Sequence, residues 1–174
     1  MNKKYRQYLG VVSAILAYYI IHEGAHLLYA LSIGTFKQIN IMGMGVQIDV
    51  YAERMTENEM GIFCVLGSIA TAVTAYFLIG FIPWITRSSS KVFKACMYYI
   101  TIALLVLDPI YLSVICGFVG GGDMNGISLL IPEGIARLAY GILLVMHGVI
   151  IGKVVIPKYT LAFIDDKDRD RRTL

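Results

Sequence analysis

The sequence predicts an all-α membrane protein of about four transmembrane helices, with a short β-hairpin between the first and the second. Composition is the first observation behind this. Of 174 residues, 57% are hydrophobic and 16% charged, and the mean hydropathy is +0.69, which excludes an ordinary soluble domain. The second observation is a set of four apolar runs long enough to cross a bilayer. The third is a stretch between the first two runs where apolar and polar residues alternate on both sides of a glycine-containing bend. A net charge of +3 is too small to point to nucleic acid. The partners expected are the lipid bilayer and a membrane protein or peptide. Residues 1–160 read as one membrane domain and residues 161–174 as a charged tail. Within the tail, Asp165 to Leu174 alternates charges with almost no apolar content, a pattern expected to remain disordered.

The first helix is expected over about Tyr8 to Ile33. Lys3, Lys4 and Arg6 precede it as they would a signal peptide. The apolar run, however, continues past a typical signal core, carries Glu23 and offers no convincing cleavage site, so an uncleaved span is expected. The hairpin is read from Ile39, Ile41, Val46, Ile48 and Val50, separated by Asn40, Gln47 and Asp49, with Met42-Gly43-Met44-Gly45 as the bend. Its apolar face belongs against the helices or at the bilayer edge, where open strand edges must be covered or used. The second helix, about Met60 to Ile82, is uncharged and stopped by Pro83 and Trp84. Its small residues repeat at a spacing of four (Gly67 with Thr71, Ser68 with Ala72), which reads as close helix packing without chemistry.

The third helix, about Ala95 to Val119, contains Asp108 followed by Pro109, a pair expected to break it. The fourth, about Ile135 to Ile156, has Arg137 near its start, His147 in its middle and Lys153 placed to snorkel near its end. Cys64, Cys96 and Cys116 all fall in apolar runs and read as buried thiols. Of the 15 lysines and arginines, only Lys37, Arg54 and Arg137 fall on the side opposite the termini. Both termini are therefore expected to be cytoplasmic.

Chemistry is concentrated in His22-Glu23-Gly24-Ala25-His26, inside the first run. Histidines at i and i+4 lie one above the other on a helix and can share one metal ion. Glu23 points about a quarter-turn away, within reach of water at that ion. It is also the only formal charge between Leu9 and Leu31, and a carboxylate in mid-membrane is costly enough to mark a functional site. Neutral imidazoles with a carboxylate suit zinc, which in catalytic sites takes three protein ligands and leaves one position open. The third ligand must come from elsewhere, and Asp123, Asp108 and His147 are the candidates, with Glu133 behind them. Asp123 lies in Gly120-Gly121-Gly122-Asp123-Met124-Asn125-Gly126, where consecutive glycines break a helix and permit close approach to another element. Asp108 is also a candidate partner for a ligating histidine, and His147 for a hydrogen bond to a neighbouring helix.

Together these features resemble the site-2 protease family of intramembrane zinc proteases (peptidase family M50). In that family a membrane helix carries H-E-x-x-H, and a β-hairpin that dips into the membrane follows it. A helix rich in small residues comes next, and a broken third helix supplies an aspartate, typically in an Asp-Gly motif preceded by an Asn/Pro segment. Here Asp108-Pro109 through Gly122-Asp123-Met124-Asn125-Gly126 takes that last place. The resemblance spans roughly Tyr18 to Ile127, is most specific over His22 to His26, and includes no PDZ or nucleotide-sensing module. It implies Zn2+ held by His22, His26 and Asp123. This chain departs from the family pattern in two ways. Met124 and Asn125 separate Asp123 from Gly126, and the charge bias puts hairpin and Asp123 on the outer side, where the family usually has its site nearer the cytoplasm.

The activity expected is hydrolysis of a peptide bond in a transmembrane or membrane-proximal segment. Glu23 would act as general base and Asn125 as a helper to the oxyanion, with the substrate extended along the open edge of the hairpin. Two other readings compete. One is a catalytically inactive membrane scaffold or binding protein of the same fold, against which the intact His22, Glu23 and His26 weigh. The other is a small metal-ion or solute carrier using Asp108, His147 and the motif as a relay, against which the lack of an internal repeat weighs.

Overall fold

The computed structural model describes residues 2–42, 45–120 and 122–172, with side chains described through Ile164 except at Met42. Four helical stretches are long and apolar enough to cross a membrane: Lys3–Ser32, Glu57–Ile85, Lys91–Val119 and Glu133–Ile164. A two-stranded antiparallel hairpin joins the first two.

Helix α1 (Lys3–Ser32) begins under an Asn2 cap whose side chain accepts from the Lys4 N–H. It ends at Gly34, which takes a left-handed φ of 71° while the Gly34 and Thr35 N–H groups return to the Leu31 and Ala30 carbonyls. Strand β1 (Phe36–Met42) then pairs with β2 (Gly45–Val50), setting Ile39 opposite Ile48 and Ile41 opposite Val46. The Gly43-Met44 part of the expected bend lies outside the described residues. Ile39, Ile41, Val46 and Ile48 share one face of the hairpin. On that face Ile48 is buried against Ala30 and Phe63, while Ile41, on the other strand and nearer the bend, is 80% exposed.

Helix α2 (Glu57–Ile85) opens with a reciprocal capping box between Thr56 and Glu59. Pro83 does not stop it as the sequence predicts. Lying one turn from the end, it removes a single donor, and the Thr86 N–H still closes on the Ile82 carbonyl.

Asp108-Pro109 does not break the third span either. Helix α3 (Lys91–Ile110) contains both residues, and the irregularity comes just after them, as a π-helical turn over Tyr111–Ile115 leading into α4 (Cys116–Val119). Proline lacks the N–H that would bond the carbonyl four residues earlier, which is that of Leu105. His147 supplies the missing donor, with Nδ1 2.6 Å from the Leu105 oxygen and Nε2 2.8 Å from the Tyr76 hydroxyl. Within the π turn Arg137 performs a similar service, donating from Nε to the Ser113 carbonyl at 3.2 Å. Replacement of His147 by leucine is expected to leave the Leu105 carbonyl unsatisfied and cost about 1–3 kcal/mol. Thermal unfolding in detergent should show this loss, and metal content should not change.

Gly120, at φ 94°, ends α4, and the short α5 (Gly122–Ile127) turns back to pack on α2, where Gly126 lies directly against the Cys64 side chain. Helix α6 (Glu133–Ile150) passes through a second π turn, Ile151–Val155, into α7 (Ile156–Arg172). Pro157, which denies Lys153 its helical donor, accounts for that turn. The backbone of the charged tail is helical through Arg172, a continuation that its composition does not predict. Threonine 173 and Leu174 lie outside the described residues.

Candidate metal centre

His22 and His26 project from the same face of α1, and both are buried, at 6% and 2% exposure. Their Nε2 atoms lie 3.1 Å apart. Asp123, carried in by the glycine break before α5, places Oδ2 3.1 Å from His22 Nε2 and 3.7 Å from His26 Nε2. Ligands at about 2.0–2.1 Å on a tetrahedral ion stand roughly 3.3–3.4 Å from one another, so the observed triangle has the right size to hold one. His22, His26 and Asp123 form the group of three among the described residues that could hold a metal ion.

The second nitrogen of each histidine fixes which atom faces the centre. His26 Nδ1 lies 2.8 Å from the Phe63 carbonyl oxygen. A carbonyl only accepts, so Nδ1 carries the proton and Nε2 presents its lone pair inward. His22 Nδ1 lies 3.1 Å from Asp108 Oδ1, in contact though off the line of a straight hydrogen bond. Asp108 is itself held by the Tyr18 hydroxyl at 2.6 Å and by the Thr71 hydroxyl. A carboxylate behind a histidine is the usual support of a metal ligand. Three acceptor atoms then face each other at close range, an arrangement that needs a cation, proton or metal, between them.

The structure thus separates the candidate ligands. Asp123 joins the two histidines, whereas Asp108 sits on the far nitrogen of His22 as its partner. His147 is spent on Leu105 and Tyr76, as the hydrogen-bonding reading expects. Glu133 pairs with Arg137 at 3.3 Å. Asn125 is exposed on α5 and is not among the residues lining the cavity at the cluster, so this geometry gives the expected oxyanion role no support.

That cavity, about 290 Å³, is lined by His22, Glu23, His26 and Asp123 together with Val46, Gln47 and Ile48 of β2 and the rings of Tyr18, Tyr19, Phe63 and Tyr111. The Ile48 N–H donates to Glu23 Oε2 at 3.2 Å, which fastens the strand edge beside the cluster. Gly67 has a role that spacing alone hides. A Cβ there would fall 2.6 Å from His22 Cε1 and 2.7 Å from His26 Nε2, so the small residue makes room for both rings. Gly67→Ala is expected to push the imidazoles apart and lower metal occupancy at least tenfold with helicity unchanged, as read by metal analysis beside circular dichroism. The signal was present in the sequence, but only contact across helices distinguishes this glycine from its neighbours.

Four helices of spanning length with a hairpin define a polytopic membrane protein, and the cluster adds a group able to hold a metal ion inside it. Comparison with protein-family models, curated proteins and solved structures gives no match.

Proposed function

We propose that this chain is an intramembrane zinc-dependent endopeptidase of the site-2 protease type, hydrolysing a peptide bond in a transmembrane or membrane-proximal segment. The observation that carries the reading is the convergence of His22, His26 and Asp123 on one point, with Glu23 and the edge of β2 lining the same cavity. His22, His26 and Asp123 would hold the ion. Zinc, when bound, supplies a Lewis acid that lowers the pKa of water to about 7 and polarises a carbonyl.

The chain's own groups do the rest. Glu23 accepts a proton from the attacking water and delivers it to the leaving nitrogen. Asp108, backed by Tyr18 and Thr71, and the Phe63 carbonyl keep the two imidazoles in register. Among the described residues β2 pairs with β1 alone, and apart from the Ile48 N–H, which Glu23 holds, its other edge could take an added strand beside the cavity. A substrate must unwind to expose its carbonyl, and an unwound segment lying on that edge would present one to the cavity. The charge bias supports a reading in which both termini are cytoplasmic and the cluster lies toward the outer side. The test is cleavage of an extended, apolar fluorogenic peptide by the detergent-purified protein, wild type against Glu23→Gln. Cleavage by the wild type alone supports the reading, and equal cleavage by both removes it.

A further inference from the structure

At the end of the bundle opposite the metal cluster, the start of α1, the start of α3 and the middle of α7 enclose a cleft of about 740 Å³. Its rim carries Lys3, Arg6 and Lys91, and no acidic side chain lines it among the described residues. Two helix amino ends, at Lys3 and Lys91, open at this rim, and both add partial positive charge. Neither Lys3 nor Arg6 has an ion-pair partner among the described residues.

Below the rim the character of the cleft changes. Tyr98 and Tyr99 line it seven and eight residues into α3, about 11 Å deeper at the helical rise. Gly10 lets the Tyr99 ring approach α1 closely. Phe163 forms part of the third wall. The Tyr159 hydroxyl beside it, in a residue only 1% exposed, has no aligned hydrogen-bond partner, with Thr101 nearby.

We propose that this cleft binds the phosphate headgroup of an anionic membrane lipid. A free phosphate would need only the cationic rim. An amphiphile uses both halves, the phosphate between Arg6 and Lys3 and the glycerol and first acyl carbons against the tyrosines. Basic pockets between membrane helices are suited to such headgroups. The site is separate from the metal cluster and does not depend on what the cluster does.

The experiment is native mass spectrometry of the full detergent-purified chain titrated with phosphatidylglycerol or phosphatidylcholine, which share acyl chains and differ in net charge. One phosphatidylglycerol should be retained at least tenfold more tightly than phosphatidylcholine. Lys3→Gln combined with Arg6→Gln should weaken it at least tenfold, while circular dichroism and thermal midpoint stay unchanged because both side chains sit on the first two turns of α1. Equal retention of the two lipids, or undiminished binding by the double variant, overturns the site. Displacement by millimolar glycerol 3-phosphate overturns the lipid assignment in favour of a soluble phosphate.

Discussion

Asp123→Ala is expected to strip zinc from the purified protein, as is His26→Ala, whereas Asp108→Asn is expected to keep it with affinity reduced only about 10–100-fold. The contrast follows from which side of each ring the groups occupy. Asp123 Oδ2 stands 3.1 and 3.7 Å from the two Nε2 atoms, so it shares the centre with them. With it gone, two neutral imidazoles remain, and a site that takes three protein ligands loses its only charged one. Asp108 reaches the opposite nitrogen of His22, where it orients the ring without entering the centre. Asparagine there still accepts through its carbonyl oxygen, so the ring stays oriented while the supporting charge is lost. Zinc measured by elemental analysis after equilibration with a competing chelator reads all three variants on one scale. Full occupancy in Asp123→Ala would move the third ligand elsewhere. Full occupancy in His26→Ala would remove the site altogether.

How much of this was legible in the sequence depends on whether the information lies along the chain or between its elements. The spans were legible because lipid requires long apolar runs. The hairpin was legible because Ile39, Ile41, Val46 and Ile48 alternate, and two-residue alternation has one structural meaning. The pairing of His22 with His26 is local to one helix, and Asp123 was marked by glycines whose break is also local; Gly120 does take a left-handed φ.

What the sequence hid is what crosses from helix to helix. Along α3 alone Pro109 reads as a break, and the donor that repairs it, His147, lies on α6. Gly67 looked like its neighbouring small residues until the rings of α1 lay over it. Asn125 looked close to the chemistry because it is two residues from Asp123, but on a helix that offset of two turns it away from the cavity. Asp108 was ambiguous because spacing does not say which nitrogen of a histidine a carboxylate meets.

Glu23→Gln is expected to retain zinc and helicity while cleavage falls at least 10²–10⁴-fold, the range that a positioned general base contributes. Glutamine is a near-isostere, and its amide oxygen can still accept from the Ile48 N–H, the bond that now holds Glu23 Oε2 at 3.2 Å. The strand therefore stays fastened to α1 and the cavity keeps its shape. What disappears is the capacity to take a proton from water and to return it to the leaving nitrogen, since an amide is not a base at neutral pH. That separates chemistry from architecture in one side chain. Metal content and peptide turnover measured on the same preparation distinguish the outcomes. Zinc kept with turnover lost assigns Glu23 as the base. Zinc and turnover both kept would leave Glu23 as an anchor for β2 alone. Zinc lost along with turnover would make it part of the ion's own support, which would overturn the division between ligands and base on which the proposed reaction rests.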